Sequence, residues 1–417
     1  MFAISWRAAP VWGLILALST GPASAQDPRV VTLDDALELS GVAAEAETAT
    51  TNPRLVGPRA ETDAAVALVD QARLSPNPEV SFDVENVAGS GAFSGLQSTE
   101  YTLSVGQRLE LGGKRSARIG AAEAQADLAS LRADLTTVEL GQLVRERYLA
   151  AAAAAARVEL AEDVVARNEE LARIAGVLVE VGREAPLRAL RADAALAEAR
   201  ASLVEVEAES LSARTALATL WTGGEAPLVP AQFPDIDPPA SLMSEAQESL
   251  TYRVARAEST AAAAEIERQR SLRIPDPTVS AGVRRFGESG DNAFLVGVSI
   301  PLPFRDRNQG NIAAAEARLR AANAREAVAL ADYEQAVATA RARYLGAEAR
   351  VETLSQTSLP QAEEALRLVR IGYRNGRFPL IEVLAAAEAR DTIREALIAA
   401  REQRGLAAAE LIGLAAQ

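Results

Sequence analysis

The chain has 417 residues and a formal net charge of −14, and 49% of it is apolar although only 4% is aromatic. This alanine-rich composition favours long helices packed through small side chains over a compact aromatic core. Cysteine and histidine are both absent, which excludes disulfides, thiolate nucleophiles, haem ligation and zinc sites built from His or Cys. The negative charge argues against a nucleic-acid partner, because phosphate binding requires clustered Lys and Arg side chains.

Residues 1–25 have the pattern of a cleaved secretory signal peptide. An apolar run over 11–18 is followed by the small-x-small sequence Ala23-Ser24-Ala25. The run is shorter than the roughly 20 residues that a membrane-spanning helix needs. Because no later segment has the pattern of a transmembrane helix, we expect any membrane insertion to use strands.

The remaining sequence repeats one plan, with a period of roughly 200 residues. The first repeat covers 26–225 and the second covers 241–417, and a Gly- and Pro-rich linker over 226–240 separates them. In each repeat, helical sequence precedes a predicted β-hairpin, and a long helix and a return helix follow it. The fold class is therefore mainly α with a small β part.

The two predicted hairpins cover about 78–111 and about 277–304, and each follows a Pro-Asn-Pro or Pro-Asp-Pro motif. Apolar side chains alternate with polar or small ones, which is typical of half-buried strands. We expect strands of roughly nine to eleven residues, a length that crosses a bilayer at a tilt. Taken alone, the alternation fits two hairpins of a soluble sheet equally well.

If the strands cross a membrane, the alternation predicts which residues meet lipid. The predicted lipid-facing residues are Tyr101, Leu103, Val105, Phe294, Val296 and Val298. The predicted bore-lining residues are Thr102, Ser104, Gly106, Gly297 and Ser299.

Long helices are predicted over about 114–181 and about 308–375, with return helices over 186–221 and 379–416. Each long helix spans roughly 68 residues, or about 100 Å. Such lengths are rare in globular folds but usual in arrays of long packed helices. A shorter helix is expected to begin near Thr32, with Asp34 and Asp35 in its first turn as partners for the cap and the helix dipole.

Two hairpins predict an oligomer if they lie in a membrane. Hydrocarbon offers no hydrogen-bond partner, so every strand must be paired, and four strands are too few to close a barrel. The barrel must then be shared between chains. Two copies would give a bore that side chains fill, so a conduit favours three or more copies.

Several short motifs, in this order and spacing, resemble the TolC family of outer-membrane efflux ducts, and within it the cobalt–zinc–cadmium (CzcC-like) branch. The motifs are Thr32-Leu33-Asp34-Asp35-Ala36-Leu37, Pro76-Asn77-Pro78, Gln107-Arg108-Leu109-Glu110-Leu111-Gly112-Gly113-Lys114-Arg115, Pro301-Leu302-Pro303 and Tyr373-Arg374-Asn375-Gly376. The resemblance covers nearly the whole chain after the signal peptide.

The resemblance implies a homotrimer with a twelve-stranded barrel in the outer membrane and a helical tunnel of about 100 Å through the periplasm. It implies two partners, a periplasmic adaptor and an inner-membrane pump of the resistance–nodulation–division (RND) class. The duct would be passive and non-enzymatic, with heavy-metal cations as the expected cargo. Drug efflux and type I secretion are alternatives on the same fold, and a secreted helical scaffold or adhesin is an alternative of another class.

The turns between each long helix and its return helix are predicted to form the periplasmic tip where the adaptor docks. The predicted docking residues are Gly182, Arg183, Glu184 and Pro186 in the first turn and Arg374, Asn375, Gly376, Arg377 and Phe378 in the second. A purely structural explanation also fits, because glycine ends helices and proline starts them.

The resemblance further implies a gate beside the second turn that holds the tunnel closed. Tyr373 matches the tyrosine of the family's gate, and Glu382 matches its first acidic residue. Phe378 stands where an arginine is expected, and Ala385 stands where a second acid is expected. We therefore expect a weaker gate, or one that uses a neighbouring arginine.

Two features resemble catalytic motifs but do not support an enzyme. Gly112-Gly113-Lys114 resembles part of a phosphate loop, yet Arg108 and Arg115 replace the first glycine and the Ser/Thr that such a loop needs. Paired acids such as Glu169-Glu170 fall on long amphipathic helices, where charged exposed faces are ordinary. A metal site would need almost only oxygen ligands. We expect no catalysis, no cofactor and no resident metal.

Overall fold

A computed structural model of the chain describes residues 30–43, 52–221, 225–239, 246–375 and 377–416. The predicted signal peptide and Gly376 lie outside these described residues. Helices make up most of the described chain and four strands form one antiparallel sheet, so the predicted fold class is confirmed. Within the described ranges, no helix is both long and apolar enough to span a bilayer.

Both halves of the chain present their elements in the same order. The first half contains α1 (Leu33–Leu39), α2 (Pro53–Arg73), β1 (Glu79–Glu85), β2 (Glu100–Arg108), α3 (Lys114–Glu180) and α4 (Pro186–Ala218). The second half contains α5 (Leu250–Ser271), β3 (Thr278–Phe286), β4 (Asn292–Ser299), α6 (Gln309–Thr353), α7 (Leu359–Arg374) and α8 (Leu380–Leu414). In each half, a hairpin is therefore followed by a long helical segment and a return helix.

Helix α1 begins at a capping box. The Thr32 hydroxyl accepts a hydrogen bond from the Asp35 backbone N–H, and the Asp35 carboxylate accepts one from the Thr32 N–H. Two otherwise unpaired N–H groups are satisfied in this way, and the acids of the first turn favour the helix dipole. The helix start expected near Thr32 is thus observed, and α1 packs against the middle of α3.

The middle of α3 packs closely against neighbouring helices through small residues. Ala151 and Ala152 are fully buried in a cluster with residues from α1, α2 and α4. On the side facing α8, a Cβ added at Gly405 would lie only 2.6 Å from Cδ2 of Leu149. A side chain at this position would force Leu149 to move, so glycine allows the close α3–α8 contact. The 67 residues of α3 extend for about 100 Å.

The second long helix differs from the uninterrupted helix expected over 308–375. A π-helical turn, Leu354–Ser358, separates α6 from α7. Pro360, the second residue of α7, has no N–H to donate to the preceding helical turn. The proline therefore explains why the second long segment is interrupted while α3 is continuous.

The strands are shorter than the expected nine to eleven residues at both edges of the sheet. β2 and β3 each have nine residues, but β1 has seven and β4 has eight. Within the described ranges, β1 and β4 each pair with a single strand. β1 ends where Asn86 adopts a left-handed conformation with φ of 57°, and β4 ends just before Ile300-Pro301. On its outer side, each edge strand has no neighbouring strand in the described part of the chain whose hydrogen bonds would lengthen it.

Candidate functional site

One face of the sheet is apolar and uncovered. Leu103 lies opposite Phe82 on one side and Val283 on the other, and Val283 lies opposite Phe294. Phe294 on this face is 91% exposed. Large exposed apolar patches are rare on soluble monomers and mark surfaces that contact protein or membrane. All six predicted lipid-facing residues lie on this face and are exposed, namely Tyr101, Leu103, Val105, Phe294, Val296 and Val298. The face has the character of a surface that contacts lipid or protein.

The opposite face carries the predicted bore-lining residues and is polar or small. Ser104 lies opposite Ser81 and Gly282, and the two serine hydroxyls are 2.7 Å apart. In the same way, Gly106 lies opposite Ser280, which lies opposite Gly297. The register therefore groups Thr102, Ser104, Gly106, Gly297 and Ser299 on one side of the sheet.

Arg284 forms an ion-pair network on this polar face that the sequence analysis missed. Its Nη2 lies 2.7 Å from Glu85 Oε2, and its Nη1 lies 3.0 Å from Glu100 Oε2. Its Nε donates to the Thr102 hydroxyl at 3.0 Å. Glu85 and Glu100 lie directly opposite each other in the β1–β2 ladder. Like charges at such positions repel, so the guanidinium relieves a cross-strand repulsion.

A buried ion pair joins the two halves where the sheet meets the helices. Lys114 Nζ lies 2.6 Å from Asp276 Oδ1, and the two side chains are 9% and 15% exposed. The Leu111 backbone N–H also donates to Asp276 at 3.0 Å. Burial favours a higher pKa for Asp276, but these two hydrogen bonds outweigh it and lower the pKa below its usual value. The lysine of the Gly-Gly-Lys motif thus ties the start of α3 to the segment that leads into β3.

The first predicted docking turn, between α3 and α4, is closed by its own backbone. Gly182 has a φ of 69°, and the Arg183 N–H donates to the Leu178 carbonyl at 2.9 Å. Pro186 occupies the first turn of α4. Arg183 and Pro186 are exposed, whereas Glu184 is half-buried. The turn therefore presents part of its surface to solvent without needing a partner for its fold.

The second predicted docking turn, between α7 and α8, is also closed locally. The Arg377 N–H donates to the Gly372 carbonyl at 2.8 Å, and the Asn375 side-chain amide donates to the Ile371 carbonyl at 2.8 Å. Phe378 is 46% exposed, yet its ring lies so close to Gly372 that a Cβ added there would collide with the ring. Phe378 is thus only partly free, because one side of its ring packs on α7.

The two predicted gate residues lie in different surroundings. Tyr373 is half-buried and packs against a small α7–α8 cluster that includes Leu366 and Val383. Glu382 is exposed in the first turn of α8. In the part of the chain that the structure describes, no hydrogen bond or ion pair joins Tyr373 to Glu382. Their role as a gate stays a prediction, because it depends on neighbouring copies.

A cluster of arginines where α3, α7 and α8 meet was also not predicted from the sequence. Arg167 of α3 and Arg390 of α8 lie 2.5 Å and 2.6 Å from the Asp391 carboxylate. Burial lowers the pKa of Arg370, and repulsion from Arg390, Arg167 and Arg374 lowers it further. The contact between α3, α7 and α8 therefore places several arginines around the single Asp391 carboxylate.

The described residues contain no group of three or more His, Cys, Asp or Glu that could hold a metal ion.

The duplicated fold and its uncovered sheet are those of a channel-type efflux protein. Residues 46–223 and 242–417 match the outer membrane efflux protein family, and the chain belongs to this family. Members of this class are channels located in the outer membrane and are not enzymes. The family acts in tripartite efflux systems with adaptor and pump partners.

Named relatives agree with the resemblance to the cobalt–zinc–cadmium branch, which is confirmed. The chain is 34% identical to the cobalt-zinc-cadmium resistance protein CzcC of Cupriavidus metallidurans, over 85% of this chain and 83% of that protein. It is 33% identical to the nickel-cobalt-cadmium resistance protein NccC of Alcaligenes xylosoxydans xylosoxydans, over 76% of this chain and 71% of that protein. The crystal structure of the outer membrane protein VceC from Vibrio cholerae has the same fold, with a TM-score of 0.77 at 21% identity, over 92% of this chain and 96% of that one.

Proposed function

We propose that three copies of this chain form one passive duct that carries divalent heavy-metal cations across the outer membrane. Three copies of a four-stranded sheet give twelve strands, enough to enclose a water-filled bore. The long helices would continue this bore through the periplasm to an adaptor and an RND pump. Residues 1–25 would direct export, and the duct would catalyse no reaction.

The observation that carries this proposal is a sheet with two free edges and one uncovered apolar face. Among the described residues, β1 and β4 each have one row of backbone N–H and C=O groups without a partner strand. In hydrocarbon, each such orphan group costs several kcal/mol, on the order of 2–7 kcal/mol. Pairing β4 of one copy with β1 of the next removes both edges at once. The apolar face then meets lipid and the polar face lines the bore.

The duct is tested by fractionation and by conductance. We expect the exported protein in the outer-membrane fraction, and we expect the purified oligomer to produce stepwise K⁺ currents in a planar lipid bilayer. A protein that inserts into the bilayer but never conducts would overturn the channel assignment. A protein recovered only from the soluble periplasmic fraction would overturn the membrane assignment.

The resistance proteins among the relatives support metal cations as the cargo. CzcC is named for cobalt, zinc and cadmium, and NccC for nickel, cobalt and cadmium. In the native host, we expect deletion of the gene to increase sensitivity to these ions, and we expect the intact gene to restore resistance. Unchanged metal resistance with lost drug or polypeptide export would point to another cargo on the same duct.

The exposed turns support the proposal that the tip binds an adaptor. Arg377→Glu combined with Phe378→Ala is expected to weaken adaptor binding at least about tenfold, because interface arginines and aromatics contribute most. Pull-down of the purified duct by its cognate adaptor measures this. Arg320→Glu is the control. It makes the same charge change on the exposed side of α6, far in sequence from the turn, and we expect it to leave adaptor binding unchanged. Equal binding by all three proteins would place the docking surface elsewhere.

A further inference from the structure

Arg284 is held between two glutamates on the polar face of the sheet. One guanidinium nitrogen lies 2.7 Å from Glu85 and another lies 3.0 Å from Glu100. The Thr102 hydroxyl accepts from the third nitrogen at 3.0 Å. A single cationic side chain therefore occupies the position where two carboxylates and a hydroxyl converge.

Without the guanidinium, the Glu85 and Glu100 carboxylates and the Thr102 hydroxyl would lose the cation that they share, and their oxygens would be available to a divalent ion. Glu85 and Glu100 are opposite each other in the ladder, and Asp83 lies opposite Thr102 on the same face. Carboxylate and hydroxyl oxygens are ligands for hard divalent ions, and zinc also accepts carboxylate oxygens. Arg284 prevents such capture because its guanidinium already binds both glutamate carboxylates and offsets part of their negative charge.

The rest of the polar face is suited to attracting cations. Within the strands it carries four acidic side chains, Glu79, Asp83, Glu85 and Glu100, against two basic ones, Arg108 and Arg284. Repetition of this surplus in every copy would raise the local concentration of cations in the bore. Conduction requires that an ion enters favourably and also leaves readily, so a tight binding site in this position would block the flow.

We propose that Arg284 is a fixed counter-cation that keeps the bore of the barrel from retaining the divalent ions it conducts. The inference rests on the proposed function, because it assumes that the polar face lines a conducting bore. Arg284 is a residue that sets conduction and has no catalytic role. Its loss is expected to leave an open pore that divalent metal ions block.

The test compares Zn²⁺ block of K⁺ current in planar bilayers containing the purified oligomer. For Arg284→Gln we expect K⁺ current without Zn²⁺, and half-block at a Zn²⁺ concentration at least about tenfold lower than for the wild type. Arg284→Lys keeps a cation between the glutamates and should behave like the wild type. Glu100→Gln with Arg284→Gln restores the original net charge and removes one ligand, so we expect the sensitivity to Zn²⁺ to be lost.

Arg285→Gln is the matched control, since Arg285 is the next residue of β3 and lies on the opposite face. Equal Zn²⁺ sensitivity of the wild type and Arg284→Gln would overturn the inference, as would an equal gain in Arg285→Gln. If Arg284→Gln yields too few channels, Zn²⁺ should raise the melting temperature of this variant in detergent and not that of the wild type; no such rise would also overturn it. Absence of K⁺ current in the wild type would instead contradict the duct itself.

Discussion

Val298→Arg is expected to remove most of the protein from the outer membrane, whereas Ser299→Arg should leave insertion nearly unchanged. The two residues are neighbours on β4 and so lie at almost the same depth on opposite faces of the sheet. An arginine facing lipid costs about 2–4 kcal/mol at the bilayer midplane and less near its surfaces. Every copy of an oligomer would bear this cost.

The measurement is the amount of each variant that resists urea extraction from purified outer membranes. Val296→Arg, which lies nearer the middle of β4, should insert even less than Val298→Arg. Equal yields of Val298→Arg and Ser299→Arg would show that the apolar face does not meet lipid.

Lys114→Met is expected to destabilise the junction between sheet and helices by about 3–5 kcal/mol, because it leaves the Asp276 carboxylate buried without its partner. Lys114 and Asp276 are both largely buried, and together they tie the two halves of the chain. Thermal unfolding of the detergent-solubilised protein, followed by circular dichroism, measures the loss. Lys114→Met combined with Asp276→Asn should recover part of it, since Asn77 stands at the corresponding position of the first repeat.

The effect of Lys114→Met should also depend on pH. In the wild type, the pKa of Asp276 is lowered, so its stabilisation is present at neutral pH and is lost as the pH falls through that lowered value. In the variant, the lysine no longer opposes the effect of burial, so we expect the pKa of Asp276 to rise from its wild-type value. The stability difference should therefore shrink as the pH falls from about 7 towards about 4. A difference that stays constant over this interval would show that the ion pair is not its cause.

Those parts of the fold that depend on local sequence could be predicted. The alternation around Leu103 and Val296 identified strands and grouped their side chains by face, because the side-chain period of a strand is two. The absence of helix breakers before Gly182 predicted the length of α3, and the Thr32 cap predicted the start of α1. Periodicity and turn chemistry act within a few residues, so one sequence is enough to recognise them.

Features that depend on register or on distant partners could not be predicted. Arg284 meets Glu85 and Glu100 only because β2 and β3 pair in one particular register, and the pairing spans about half the chain. Lys114 finds Asp276 for the same reason. Pro360 indicates that the second long helix is interrupted near Leu354–Ser358. In a single sequence, however, a proline that interrupts a helix cannot be distinguished from one that begins a new helix. The roles of Tyr373 and Glu382 depend on neighbouring copies.

The number of chains in the membrane-extracted particle tests the central proposal most directly. Native mass spectrometry of the detergent-solubilised protein should give three times the mass of the mature chain, and removal of detergent should cause aggregation. The part of one chain that the structure describes provides four strands with two open edges, and such a sheet cannot seal a pore alone. A stable single chain that stays in solution without detergent would contradict the duct.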